Sequence, residues 1–129
     1  MTSLVRLTHL AFLVVLCGST FAAQAEAQSF ASVAVNLNSG AWGASLGQRT
    51  ANAAGADANR RCGGNCQVGL TRVGRCVAVA SGTNEGQHWF GFAAGEFPGD
   101  VNARAMNGCN RRGPGCRMAH SNCIPGPID

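Results

Sequence analysis

Seven cysteines, three histidines and ten arginines without a single lysine carry most of the chemistry available to this 129-residue chain. Past residue 27 six cysteines remain, Cys62, Cys66, Cys76, Cys109, Cys116 and Cys123. An even number in a small domain reads as three disulfides when the thiols meet an oxidising compartment, and fifteen pairings are then possible. Cys62 and Cys66 also fall within zinc-ligand spacing, and His88 and His120 could complete a set. No second knuckle of matching spacing exists, and the Cys-x-x-Cys spacing of redox-active pairs is missing. Disulfides are therefore expected, with no metal and no cofactor. A hydrolytic triad would have to combine His88 or His120 with a serine such as Ser45 or Ser81 and an acid such as Asp100. The chain has no G-x-S-x-G elbow, no H-E-x-x-H and no phosphate-cradling glycine loop. Glu85 and Glu96 could supply a glycosidase carboxylate pair, although both belong to one half of the chain. No catalytic residue is assigned, and a small secreted hydrolase stands as an alternative reading.

The arginines give the stronger signal. Arg60 and Arg61 fall in the last turn of one expected helix, and Arg111 and Arg112 lie just beyond another. Cations there complement the negative end of the helix, worth about 0.3–1 kcal/mol each. Beyond that role, the two pairs could converge on a sheet edge and contact an anionic envelope component or an acidic protein partner. The net charge of +4 is too small, and the arginines too dispersed, for a nucleic-acid footprint.

These residues must be positioned by a chain whose first 27 residues read as a signal peptide. Arg6 precedes the short apolar run "LAFLVVLCG", and Ala25-Glu26-Ala27 forms a cleavage site that leaves Gln28 as the new start. A run this short does not span a bilayer, which needs roughly 20 residues. The bulky Leu16 before Cys17 argues against lipid anchoring, so the product is expected in the periplasm or the medium. Residues 28–129 hold only twenty Val, Leu, Ile, Met, Phe and Trp residues, a thin core for that length.

The chain then repeats itself. "SVAVN" at 32–36 answers "CVAVA" at 76–80, Trp42 answers Trp89, and "ANRRC" ending at Cys62 answers "RAMNGC" ending at Cys109. Cys66-Gln-Val likewise answers Cys116-Arg-Met, so each copy spans about 47 residues, roughly 30–74 and 75–123. Within a copy Val33, Val35 and Leu37 alternate as a strand, Asn38-Ser39-Gly40 is a turn, and Ala41 to Leu46 reads as the return strand. Val77 and Val79, a Gly/Asn turn at 82–86 and "HWFGF" are the second version. Thr50 caps a helix in which Ala54, Ala58 and Cys62 share a face, matched by Val101, Ala105 and Cys109; Gly63-Gly64 and Gly108 end the two helices. "CQVGLTRV" and "CRMAHSNC" are the closing strands. The fold class is α+β, two tandem β-hairpin/helix/strand units in residues 28–123. Their edges are expected to join into a mainly antiparallel sheet with both helices on one face. Trp42 and Trp89 take equivalent core positions in this reading. The Pro/Gly-rich segment 124–129 is expected to be loose.

Trp42-Gly43, Thr50, Ala54, Ala58, Cys62, Cys66, Cys76-Val77-Ala78-Val79, Trp89, Ala105, Cys109, Cys116 and Cys123 together resemble a small secreted bacterial family, the domain of unknown function numbered four-one-eight-nine. Phe90 between Trp89 and Gly91, and Phe97-Pro98 in place of a Thr cap, depart from the family pattern. The resemblance implies fold and export and carries no chemistry. The repeat itself narrows the cysteine pairing: Cys62 with Cys66 and Cys109 with Cys116 at equivalent helix-to-strand turns, leaving Cys76 with Cys123 to staple the copies together. The whole reads as a secreted, non-catalytic binding or inhibitory module, with a structural envelope or stress protein as a further alternative.

Overall fold

The computed structural model describes residues 28–125, so the signal-peptide reading, Cys17 and the last four residues lie outside the described part. Strand β1 (Phe30–Val35) pairs antiparallel with β2 (Trp42–Gln48), and the chain then enters helix α1 (Ala51–Cys62). Thr50 caps this helix as its type predicts, its hydroxyl accepting from the Ala53 N–H at 3.1 Å. Gly63, at φ 116°, ends it in the left-handed conformation that a side chain would strain. Strand β3 (Gln67–Val73) returns to the free edge of β1, giving the order β2-β1-β3. The second unit repeats the plan with β4 (Cys76–Asn84), β5 (Gln87–Gly95), α2 (Pro98–Asn110) and β6 (Arg117–Cys123), in the order β5-β4-β6. The turn joining β4 to β5 is only Glu85-Gly86, both at positive φ, so β4 is longer than its sequence suggests. Helix α2 starts at Pro98 without a side-chain cap and runs through Gly108, where the sequence suggests a stop. Gly108 instead faces Gly91 on β5, where two bare glycines let helix and strand come close.

The α+β class and the doubled hairpin/helix/strand unit match the expectation, while the joining of the units is different. The edges do not merge: each unit keeps its own three-stranded sheet. One face of each sheet meets the other, through Ala31, Val33 and Val35 of β1 and Val77, Val79, Phe90 and Ala94 of β4 and β5. The outer faces carry the helices, α1 over Ala34 and α2 over Ala78, Ala80 and Ala93. The layers therefore run helix, sheet, sheet, helix, with the helices on opposite sides of the molecule. The physical reason lies in the Val/Ala alternation of β1 and β4, both buried on two faces. Valines fill the gap between sheets, and alanines let a helix lie close against the outer face.

Three disulfides take the pairing inferred from the repeat, Cys62–Cys66, Cys109–Cys116 and Cys76–Cys123. The third one does not staple the copies together. Cys76 opens β4 and sits opposite Cys123 on β6, so the bond lies within the second sheet. The corresponding cross-strand pair in the first sheet is Phe30 opposite Val73, an apolar contact in place of a covalent one.

Candidate functional site

Superposing the two units by their helix contacts shows where they diverge. A Cβ on Gly43 would strike the Ala58 carbonyl and the Cys62 amide, and one on Gly91 would strike those of Ala105 and Cys109. Gly43 and Gly91 are therefore counterparts. Trp42 then corresponds to Phe90, not to Trp89 as the matching of motifs suggests. The ladder agrees: Val35 faces Trp42, and Ser81 faces Phe90. A one-residue slip along a strand moves a side chain to the other face. Trp89 accordingly packs against α2, over Gly82 and Gly113, while Trp42 turns toward the space between the sheets.

That space is pinched at one side and open at the other. Where β3 passes β5, the Phe92 ring reaches across Gly69 and fills the gap. Ala44 stands at the position equivalent to Phe92, each facing the matching valine, Val33 or Val79. Between β2 and β6 a cleft of about 470 Å³ remains, lined by Trp42, Ala44, Leu46, Val77, His120 and Asn122, with Arg61 of α1 at its wall. A β-bulge in the pairing with β6 between Val79 and Ala80 sets the register of His120, and the matching bulge between Val33 and Ala34 sets that of Leu70 in the other half. The His120 ring lies 5.3 Å from the Trp42 ring at a tilt of 36°. Burial of the half-covered imidazole, and then the nearby Arg61 charge, lower its pKa below the usual 6.5, so it is neutral at neutral pH.

Arg61 is held from behind. Asp57, one turn earlier on α1, accepts from Arg61 Nε at 2.8 Å, from Arg60, and from the buried Ser45 hydroxyl at 2.8 Å. Burial works against the ionised carboxylate, but the three donors overcome it and bring the Asp57 pKa down from 3.8 to about 2. One carboxylate thus faces two guanidinium groups, leaving one net positive charge. The two terminal nitrogens of Arg61 have no protein partner among the described residues, and no acid lines the cleft.

The other sequence candidates are dispersed. Arg112 lines a smaller depression with Leu37, Gln67 and Phe92, and Arg111 lines another with Arg104 and Asn107, so the two arginine pairs do not share a pocket. His88 lies over Gly40 in a separate depression with Ser81, Thr83 and Arg117. Ser45 is committed to Asp57, and Asp100 pairs with Arg104 at 3.0 Å. Glu85 and Glu96 bracket the nine-residue β5, about 30 Å apart for an extended strand, well beyond the reach of a glycosidase pair. All six described cysteines are in disulfides. No described helix is long and apolar enough to cross a membrane. Sequence reasoning missed Asp57, Trp42 as a cleft residue and His120 as its partner. Only Asp57, an acid three and four residues before two arginines, left a readable mark.

The profile of the family described as "Domain of unknown function (DUF4189)" matches residues 30–123. Among solved structures the chain is similar to the NMR structure of Rv1813c from Mycobacterium tuberculosis, at 26% sequence identity and a TM-score of 0.45, over 74% of this chain and 75% of that one. Comparison with curated proteins gives no match.

Proposed function

The chain belongs to the family of domains of unknown function DUF4189, and from that premise of fold without chemistry we propose that it is an exported module that binds an anionic ligand or partner and does not catalyse a reaction. The observation that carries this reading is Arg61, fixed by Asp57 at the wall of a cleft that no acid lines among the described residues, which also leave its terminal nitrogens unengaged. A guanidinium already oriented by one carboxylate loses less freedom when it binds a second anion. The three disulfides support export, since such bonds persist outside the reducing cytoplasm. The net charge of +4 adds a modest attraction toward acidic partners.

Calorimetric titration of the oxidised protein with matched anionic and neutral ligands tests the proposal. Binding of the anionic members should fall at least tenfold in the variant with Arg60, Arg61, Arg111 and Arg112 all changed to Gln. Unchanged affinity for acidic ligands in that variant rejects an arginine-based anion site.

A further inference from the structure

We propose that the cleft between β2 and β6 is a single binding site for a small organic carboxylate, a site created by divergence of the two repeats. The proposal rests on the anion-binding reading and goes further by naming the place, the number and the ligand class.

Five substitutions between the halves argue for it. Ala44 stands where the second unit has Phe92, and the difference is the ring that closes the opposite gap. His120 stands where the first unit has Leu70, each opposite the same core valine position. Arg61 occupies the helix position filled by Gly108 in α2, and Asp57, which fixes it, occupies the position of Arg104. Ser45 completes the support beneath Asp57, and its counterpart Ala93 has no hydroxyl. So the widening of the gap, the charge at its wall and the residues behind that charge all occur in the same half. A merely relaxed sheet edge would need only the first of these.

The lining defines the ligand. Val77, Leu46 and the Trp42 face offer an apolar surface, and a cleft of about 470 Å³ lies in the range of small-molecule sites. The free end of Arg61 presents two parallel N–H donors, the geometry that matches a carboxylate. The one net positive charge of the Arg60–Asp57–Arg61 cluster balances a monoanion better than the double charge of a phosphate. Neutral His120 and the Asn122 amide supply further hydrogen bonds without more charge.

The test uses three probes on the oxidised protein: benzoate, its uncharged analogue benzamide, and inorganic phosphate, with binding read from amide and Trp42 indole shifts by NMR. Saturable one-to-one binding of benzoate is expected, with benzamide and phosphate at least tenfold weaker. Ala44→Phe, which copies the closed half, should weaken benzoate at least tenfold while leaving the thermal midpoint within a few degrees. Arg61→Gln should do the same, and Arg111→Gln/Arg112→Gln should leave binding unchanged. His120→Leu, the counterpart residue, is a second way to alter the wall should the phenylalanine variant not fold, and it too should weaken benzoate. Benzoate binding that survives both Ala44→Phe and His120→Leu overturns the cleft assignment while the anion-binding reading stands. Phosphate binding more tightly than benzoate overturns the ligand class. If neither anion binds at all, the underlying reading falls as well.

Discussion

Asp57 receives three donors at one carboxylate, and its consequences can be read in acid. Its folded pKa of about 2 lies below the unfolded value of 3.8, so its contribution is complete above pH 4 and is lost as pH falls toward 2. With its side chain only 10% exposed, that contribution is on the order of 1–2 kcal/mol. Asp57→Asn should therefore lower the stability measured by urea unfolding at neutral pH by that amount, and should flatten the stability curve between pH 4 and 2. A curve as steep as that of the parent protein would contradict this role. His120 shifts stability in the same direction, although here the neutral form is the favoured one. Its folded pKa is lowered, so the fold favours the neutral ring, and stability falls as pH drops below 6.5 through the folded value. Removing the adjacent charge with Arg61→Gln should raise the His120 pKa toward the ordinary range in an NMR titration, while Arg111→Gln should leave it in place. The spacing of Asp57 to the two arginines on α1 marks their pairing in the sequence, but the meeting with His120 is not marked, because His120 is far away in the chain and only the sheet-on-sheet packing brings it to Arg61.

At the scale of elements, the close seating of each helix on its sheet depends on two glycines and a run of alanines. Gly43→Ala and Gly91→Ala each place a Cβ into helix backbone that cannot move without lifting the helix. Each should cost about 3 kcal/mol or more, at the upper end for overpacking, seen as a drop in the urea midpoint. The helices themselves were legible: Ala54, Ala58 and Cys62, and Val101, Ala105 and Cys109, are the buried faces. Thr50 is the cap its type announces. The disulfide pairing was legible too, because equivalent turns hold equivalent cysteines, but the reach of Cys76–Cys123 was not. Both cysteines fall within the second unit's bounds of 75–123, and only the ladder shows that they face each other there, on β4 and β6. Cys76–Cys123 closes the longest loop, with a separation of 47, and Cys62–Cys66 the shortest, at 4. On the chain-entropy model, removing the first costs about 4 kcal/mol and the second about 2. Denaturation of the two double-alanine variants should rank them in that order.

For the molecule as a whole, duplication explains both the regularity of the frame and the single irregularity within it. The doubled unit was visible in the sequence as a repeat of motifs, and α+β followed from the order of periodicities. The stacking of two sheets was not, since Val-Ala-Val is consistent with an apolar face of one sheet and with a strand buried on both sides. Residue size separates the two cases within the alternating runs: Val33, Val35, Val77 and Val79 face the other sheet, and Ala34, Ala78 and Ala80 face the helix. Between the repeats, motif matching is displaced by two residues at β1 and β4, which changes no face, and by one at Trp42 and Trp89, which reverses one. That single slip concealed the cleft by making both tryptophans look like core. Matched halves, of which only the first has opened and acquired an anchored charge, are what the carboxylate site requires. Mapping benzoate-induced shift changes over the assigned NMR spectrum tests this most directly. Changes confined to Trp42, Ala44, Leu46, Val77, His120 and the Arg61 side chain are expected. Equal changes around Leu70, Phe90 and Phe92, or changes gathered at Arg111 and Arg112, would contradict it.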